Sequence, residues 1–195
     1  MKSVTERVYL TDFILACLAY CLFVGSDSIV KYLGSDYSIV QIIFVNSWFA
    51  LIPIVLYTQT LNGWRKLKKA NFTVHFFRAL TMALALFFGY TGFYRLPMVT
   101  MYSIVFLIPL MITIGSVFFL GEVVRWKRFT AILIGFIGAI ISINPFGTEY
   151  DNYIFLALFC PIFASASYLI VRKYGFKENL FSFLIYGKIL MLVFT

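Results

Sequence analysis

Polar residues cut this chain into apolar runs of similar length. Splitting at the polar gaps leaves stretches at Phe13 to Tyr32, Ile39 to Thr58, Phe72 to Tyr94, Met98 to Leu120, Phe129 to Asn144 and Tyr153 to Val171. A further run begins near Leu180 and is still apolar at Thr195. Crossing ~30 Å of hydrocarbon at 1.5 Å per residue takes ~20 mostly apolar residues of α-helix. The pattern therefore predicts an all-α polytopic membrane protein. The last run has no polar flank, so the chain is read as truncated within the seventh span, a fragment or shortened form of a longer protein.

Composition sharpens the class. The chain is 62% hydrophobic and 12% charged, with a mean hydropathy of +0.93, against ~45–50% apolar residues in an ordinary soluble domain. A net charge of +8 would suggest nucleic acid for a soluble chain, but here the basic residues fall in the gaps between spans, so no nucleic-acid partner is implied. Lys2 and Arg7, then Arg65, Lys66, Lys68 and Lys69, then Arg125, Lys127 and Arg128, then Arg172, Lys173 and Lys177 occupy every second gap. The gaps between them hold Lys31 near Asp36, Arg95 alone, and the acidic pair Glu149 and Asp151. Short cytoplasmic loops carry the excess of lysine and arginine, which places the N-terminus in the cytoplasm. Trp64 and Trp126 beside two of the clusters read as interfacial anchors. No small-x-small cleavage site follows the first apolar run, so it reads as an uncleaved span.

A shift of 141 positions lays LACLAYCLFVGSDSIVKYLG, from Leu15, over LALFCPIFASASYLIVRKYG, from Leu156, without a gap. Leu15, Ala16, Ser26, Ile29, Val30 and Gly34 meet Leu156, Ala157, Ser167, Ile170, Val171 and Gly175. Five spans separate the copies, and an odd number inverts orientation. Inverted repeats are a common architecture of secondary transporters, with the binding site near the midplane where the repeats meet. The segments expected are residues 1–12 as a cytoplasmic N-terminal piece, 13–145 as a first five-helix repeat, and 146–195 as the start of a second.

Arg78 six residues into the third span, Leu107-Ile108-Pro109 inside the fourth, Phe119-Leu120-Gly121-Glu122 at its end and Gly135-Phe136-Ile137-Gly138 in the fifth resemble the EamA-type domain of the drug/metabolite transporter superfamily. Around Ser26-Asp27 and Lys31-Tyr32-Leu33-Gly34 the chain is similar to the S-adenosylmethionine uptake carriers of that superfamily. The resemblance implies ten spans in two inverted five-helix halves, a small-molecule metabolite as substrate, and a bacterial inner membrane as location.

A charge inside a span costs ~2.5–3.5 kcal/mol on insertion scales, so it usually faces a cavity or a partner. Asp27 lies about one turn below the outer end of the first span with Lys31 at i+4, which allows an intrahelical ion pair. The functional alternative has Asp27 facing a cavity, with Tyr20 two turns away, to meet a cationic substrate or a coupling proton. Lys188 falls ~12 Å into the seventh span, and Asp27 is the acid best placed to answer it. Arg78, ~9 Å from the cytoplasmic end, suits a tie between helices and loops. Pro109 removes a backbone donor and is expected to kink its helix toward a cavity lined by Thr100, Tyr102 and Ser103. Tyr20, Trp48 and Tyr102 are candidate aromatic contacts for a ring or a cation. Glu122 is expected to pair with Arg125 in the turn after the fourth span.

Other residues read as structure. Ala131, Gly135 and Ala139, with Gly138 and Ser142, form a small-residue packing face. His75 reads as a solvated interface residue, and Cys17, Cys21 and Cys160 as buried small hydrophobes. No nucleotide loop, catalytic dyad or metal-ligand spacing occurs, so neither a cofactor nor a metal is implied, and an ATP-driven pump or metalloenzyme is disfavoured. The leading reading is a secondary transporter working by alternating access, with the lipid bilayer, a small metabolite and a coupling proton or counter-substrate as partners. An S-adenosylmethionine-like substrate suits an acid for its sulfonium, aromatics for its adenine and a base for its carboxylate. The alternatives are a membrane-embedded enzyme of lipid or sugar metabolism, or a non-transporting membrane protein that oligomerises.

Overall fold

A computed structural model describes residues 2–60, 71–123, 125–143, 152–176, 178 and 180–195, and no strand occurs among them. The helices are α1 (Lys2–Leu33), α2 (Ile39–Thr60), α3 (Phe72–Arg95), α4 (Met98–Val105), α5 (Leu107–Leu120), α6 (Trp126–Ile143), α7 (Tyr153–Ala157), α8 (Phe159–Tyr174) and α9 (Leu180–Phe194). Among the described residues, five stretches are long and apolar enough to cross a membrane: Thr11–Leu33, Ile39–Gln59, Phe72–Arg95, Met98–Leu120 and Tyr153–Tyr174. The fifth and seventh expected spans appear as shorter apolar helices, Phe129–Ile141 and Ser182–Phe194. The chain is an all-α, multi-pass membrane protein. Helix α1 already begins at Lys2, inside the segment expected to precede the first span. Trp64, the basic cluster Arg65, Lys66, Lys68 and Lys69, the acidic pair Glu149 and Asp151, and Lys177 lie outside the described residues.

Two spans are broken, each three residues before a proline. The fourth is interrupted at Phe106, ahead of Pro109, and the sixth at Leu158, ahead of Pro161. Proline lacks the N–H that would bond the carbonyl four residues back, and its ring crowds that carbonyl. The residues at the breaks stay right-handed, with φ/ψ of −64°/−11° and −63°/−20°, so each span continues beyond its break. Pro53 sits inside an uninterrupted α2. At the end of α5, Gly121 adopts φ 68°, a left-handed conformation that glycine enters without steric cost, and the Glu122 N–H returns to the Ser116 carbonyl at 3.3 Å.

Helix α3 is the hub, with α1, α2, α4, α7, α8 and α9 packed on it. Its small residues explain how α7 and α8 come so close. A Cβ on Gly89 would lie 3.1 Å from Cys160 Sγ, and one on Gly92 would lie 2.5 Å from Met101 Sδ and 3.1 Å from Ala157 Cβ. Phe93, Leu96, Met101, Ile104, Ala157 and Cys160 form the buried cluster around this approach. Close backbone packing through small residues replaces the hydrophobic drive that lipid does not provide. The small-residue face expected on α6 does not play this part among the described residues: Gly135 and Gly138 have open space around them, and Ala139 is the member that is buried, against Leu107 and Leu110. The side chain of Ser142 lies outside the described residues.

Contacts at the helix ends follow the alternation expected of successive spans. Glu122, after α5, meets Arg172, near the end of α8. The start of α3 meets Glu178, just ahead of α9, through the Asn71 N–H. At the other end, Lys31 near the end of α1 reaches the last carbonyls of α3.

Candidate functional site

Two polar groups sit on α3 at different depths. The first surrounds Asp27. Its side chain is 4% exposed, and the Tyr102 hydroxyl donates to its Oδ2 at 3.0 Å. Phe93 holds the Tyr102 ring edge-on, with centroids 5.2 Å apart. Tyr90 of α3 and Cys160 of α8 are both buried and close enough for the Asp27 charge to act on them. A carboxylate offers about four lone-pair positions, and Tyr102 supplies the one side-chain hydrogen bond to Asp27 among the described residues.

The ion pair expected between Asp27 and Lys31 does not form. Lys31 Nζ instead donates to the carbonyls of Leu96 at 2.7 Å and Phe93 at 3.3 Å, where the unpaired carbonyls at the end of α3 present partial negative charge. Lysine thus caps a neighbouring helix and leaves the acid to the tyrosine.

The second group lies twelve residues earlier on α3, ~18 Å along the axis from Tyr90 to Arg78. His75 is 1% exposed, not solvated as its sequence position suggested. Its Nε2 lies 3.3 Å from Glu178 Oε2, and its ring packs on Phe183 and Tyr186 with centroids 4.7 and 5.3 Å away. Glu178 Oε1 also accepts the Asn71 N–H at 3.1 Å, so one carboxylate holds the start of α3. Asn71 caps that helix by accepting from the Thr73 N–H at 3.2 Å. One turn on, the Arg78 guanidinium donates from Nη1 to the Phe183 carbonyl and lies over the Phe183 ring at 5.6 Å. Gly187 makes room for it, since a Cβ there would fall 2.5 Å from Nη1. Lys188 follows, half-buried, with Arg78 as its charged neighbour. Asp27 and Lys188 are therefore not paired, and each belongs to its own group.

The remaining candidates separate. Ser103 is buried and donates to the Val99 carbonyl at 2.9 Å. Tyr20 and Trp48 are 76% and 56% exposed on the described chain, whereas Asp27 is buried. Pro109 faces α6 rather than a polar cavity, lining an apolar crevice of about 250 Å³ with Phe106, Leu110, Ile132 and Phe136. Glu122 pairs with Arg172 at 2.8 Å, not with Arg125. Cys160 is buried as expected, but Cys17 and Cys21 are exposed. Sequence reasoning overlooked Tyr90 and Glu178, the partner of His75. His75 and Glu178 are 103 residues apart, and nothing local marks either as half of a pair.

Residues 11–144 match the model of the EamA-like transporter family. The chain belongs to that family. An S-adenosylmethionine uptake transporter of Rickettsia felis is 30% identical over 194 residues, covering 96% of this chain and 63% of that protein. A riboflavin transporter of Vibrio cholerae is 24% identical over 172 residues, covering 87% of the chain and 58% of the relative. A pseudopaline exporter of Pseudomonas aeruginosa is 21% identical over 174 residues, covering 89% and 61%. The chain thus spans about 60% of the length of these transporter-named relatives. No solved structure matches it.

Proposed function

We propose that this EamA-like protein is a secondary carrier that moves a small, cation-bearing polar or amphipathic metabolite by alternating access, with its N-terminus in the cytoplasm of a bacterium and its spans in the inner membrane. The observation that carries the reading is Asp27, a carboxyl 4% exposed within a span that receives, among the described residues, a single side-chain hydrogen bond, from Tyr102. Burying such a group is costly unless charge or hydrogen bonds answer it. A sulfonium or ammonium group supplies that charge when substrate is bound, and a coupling proton can neutralise the acid when it is absent. Tyr102 and Tyr90 offer ring faces beside it for a cation or a flat base. The R. felis relative's name points to S-adenosylmethionine, whose sulfonium, adenine and carboxylate fit this chemistry.

On this reading the ~18 Å between the Tyr90 and Arg78 levels of α3 makes Asp27 and Lys188 successive contacts with the substrate rather than a simultaneous grip. Uptake of radiolabelled S-adenosylmethionine into proteoliposomes tests the reading, with riboflavin as competitor. Saturable uptake lost in Asp27→Asn and retained in part by Asp27→Glu is the expected result. Uptake unchanged by both Asp27→Asn and Lys188→Met would remove these residues from the mechanism.

A further inference from the structure

Three buried side-chain atoms lack a hydrogen-bond partner among the described residues: His75 Nδ1, Arg78 Nε and Ser182 Oγ. All belong to the two helices of the second polar group, His75 and Arg78 one turn apart on α3 and Ser182 next to Phe183 on α9. From these unpartnered groups, we propose that the contact between α3 and α9 is a binding site for a carboxylate, the anionic end of the transported metabolite. This deepens the carrier reading above and rests on it.

The burial is complete enough to matter. His75 is 1% exposed and Ser182 0%. A buried donor without an acceptor forfeits its hydrogen bonds to water and gains nothing in return, and most native structures avoid this. Two of these atoms, Arg78 Nε and Ser182 Oγ, are donors on the two packed helices and mark a place where an acceptor belongs, whereas His75 Nδ1 is itself an acceptor when Nε2 donates to Glu178. The charge balance says which kind. Arg78 and Lys188 bring two cations, while Glu178 is already committed to the Asn71 N–H and to His75 Nε2. Among the described residues the group keeps a net positive charge, which a water molecule leaves uncompensated and a carboxylate neutralises.

The donor types suit an oxyanion. Arg78 uses Nη1 on the Phe183 carbonyl and keeps its Nε–H, an edge of the planar fork that recognises carboxylates. The Ser182 hydroxyl rotates to its acceptor. Gly187 keeps the guanidinium free of a side chain that would displace it. The Asp27 group and this contact then serve as two stations for opposite ends of a zwitterionic substrate, ~18 Å apart along α3 and so visited in turn.

The test uses the purified chain in detergent and acetate as the probe. Sodium acetate is titrated against sodium chloride at equal ionic strength while the thermal unfolding midpoint is followed. A saturable rise of about 2–4 °C is expected with acetate, abolished in Arg78→Gln and reduced in Ser182→Ala, a small change that spares the fold. Acetate no better than chloride in the unmodified chain overturns the site, as does an acetate response undiminished in both variants. An intact acetate response in a protein that takes up no substrate would sink the carrier reading and leave the site standing.

Discussion

The two polar groups on α3 carry similar residue types and resolve them differently. Around Asp27 a single acid meets one tyrosine hydroxyl, and the lysine one turn away is spent on carbonyls at the end of α3. Around His75 and Arg78 much of the polarity is tied across helices, with Glu178 on His75 and the Phe183 carbonyl on Arg78 Nη1, while Arg78 Nε keeps no partner among the described residues. An acid kept underused is, in the proposed function, the one that meets the ligand. Charges tied across two helices, His75 and Arg78 to α9 and its approach, hold those helices together. The comparison predicts that changes at Asp27 act on transport and changes at His75 act on stability.

The sharpest break between the two groups is Asp27→Asn. Losing a charge-assisted contact of ~1.5–3 kcal/mol lowers uptake by about 10- to 100-fold, read as initial rate at subsaturating substrate. The unfolding midpoint should hold or rise, because the desolvation cost of the buried carboxylate disappears with it. A midpoint that falls in step with uptake would make Asp27 a structural residue and erase the contrast.

At the other group the expected readout is coupling. His75→Ala and Glu178→Gln, alone and together, form a double-mutant cycle with an interaction energy of about 1 kcal/mol in unfolding. Additive effects would mean that the imidazole and the carboxylate are neighbours without an interaction, and that packing on Phe183 and Tyr186 alone holds the ring.

A smaller effect separates the two roles that Lys31 can play. Lys31→Met keeps the stem and removes the cap on α3, which should cost about 0.3–1 kcal/mol in the unfolding midpoint while substrate affinity stays put. A large change in affinity with unchanged stability would return Lys31 to the Asp27 group and weaken the account of an underused acid.

What the sequence made legible, and what it hid, divides along the range of the interactions. The spans were readable because hydrocarbon thickness sets a length that composition alone must meet, and the breaks at Phe106 and Leu158 lie where Pro109 and Pro161 withdraw a donor. Pro53, which leaves α2 unbroken, shows that the same residue has no fixed outcome. The partner choices were not readable. Lys31 at i+4 from Asp27 has a local explanation, but Leu96, 65 residues on, offers carbonyls that a helix end leaves empty. Asp27 finds Tyr102 across 75 residues, and His75 finds Glu178 across 103. The packing face was misplaced for the same reason: four-residue spacing of small residues occurs on both α3 and α6, and only the neighbour decides which face is used.

The weakest tie tests whether location or charge sets the strength of these contacts. Arg172 and Glu122 meet at 2.8 Å, shorter than the His75–Glu178 pair, yet their side chains are 46% and 35% exposed. Water screens such a pair and the long side chains lose freedom in forming it, so exposed ion pairs contribute about 0–1 kcal/mol. Glu122→Gln should therefore shift the unfolding midpoint by no more than about a degree or two, and added salt should remove even that. The His75–Glu178 coupling, at 1% and 10% side-chain exposure, should survive the same salt. If salt abolishes both equally, burial is not what distinguishes the two contacts, and the ordering of effects along the chain would have to be set by the partners' identities instead.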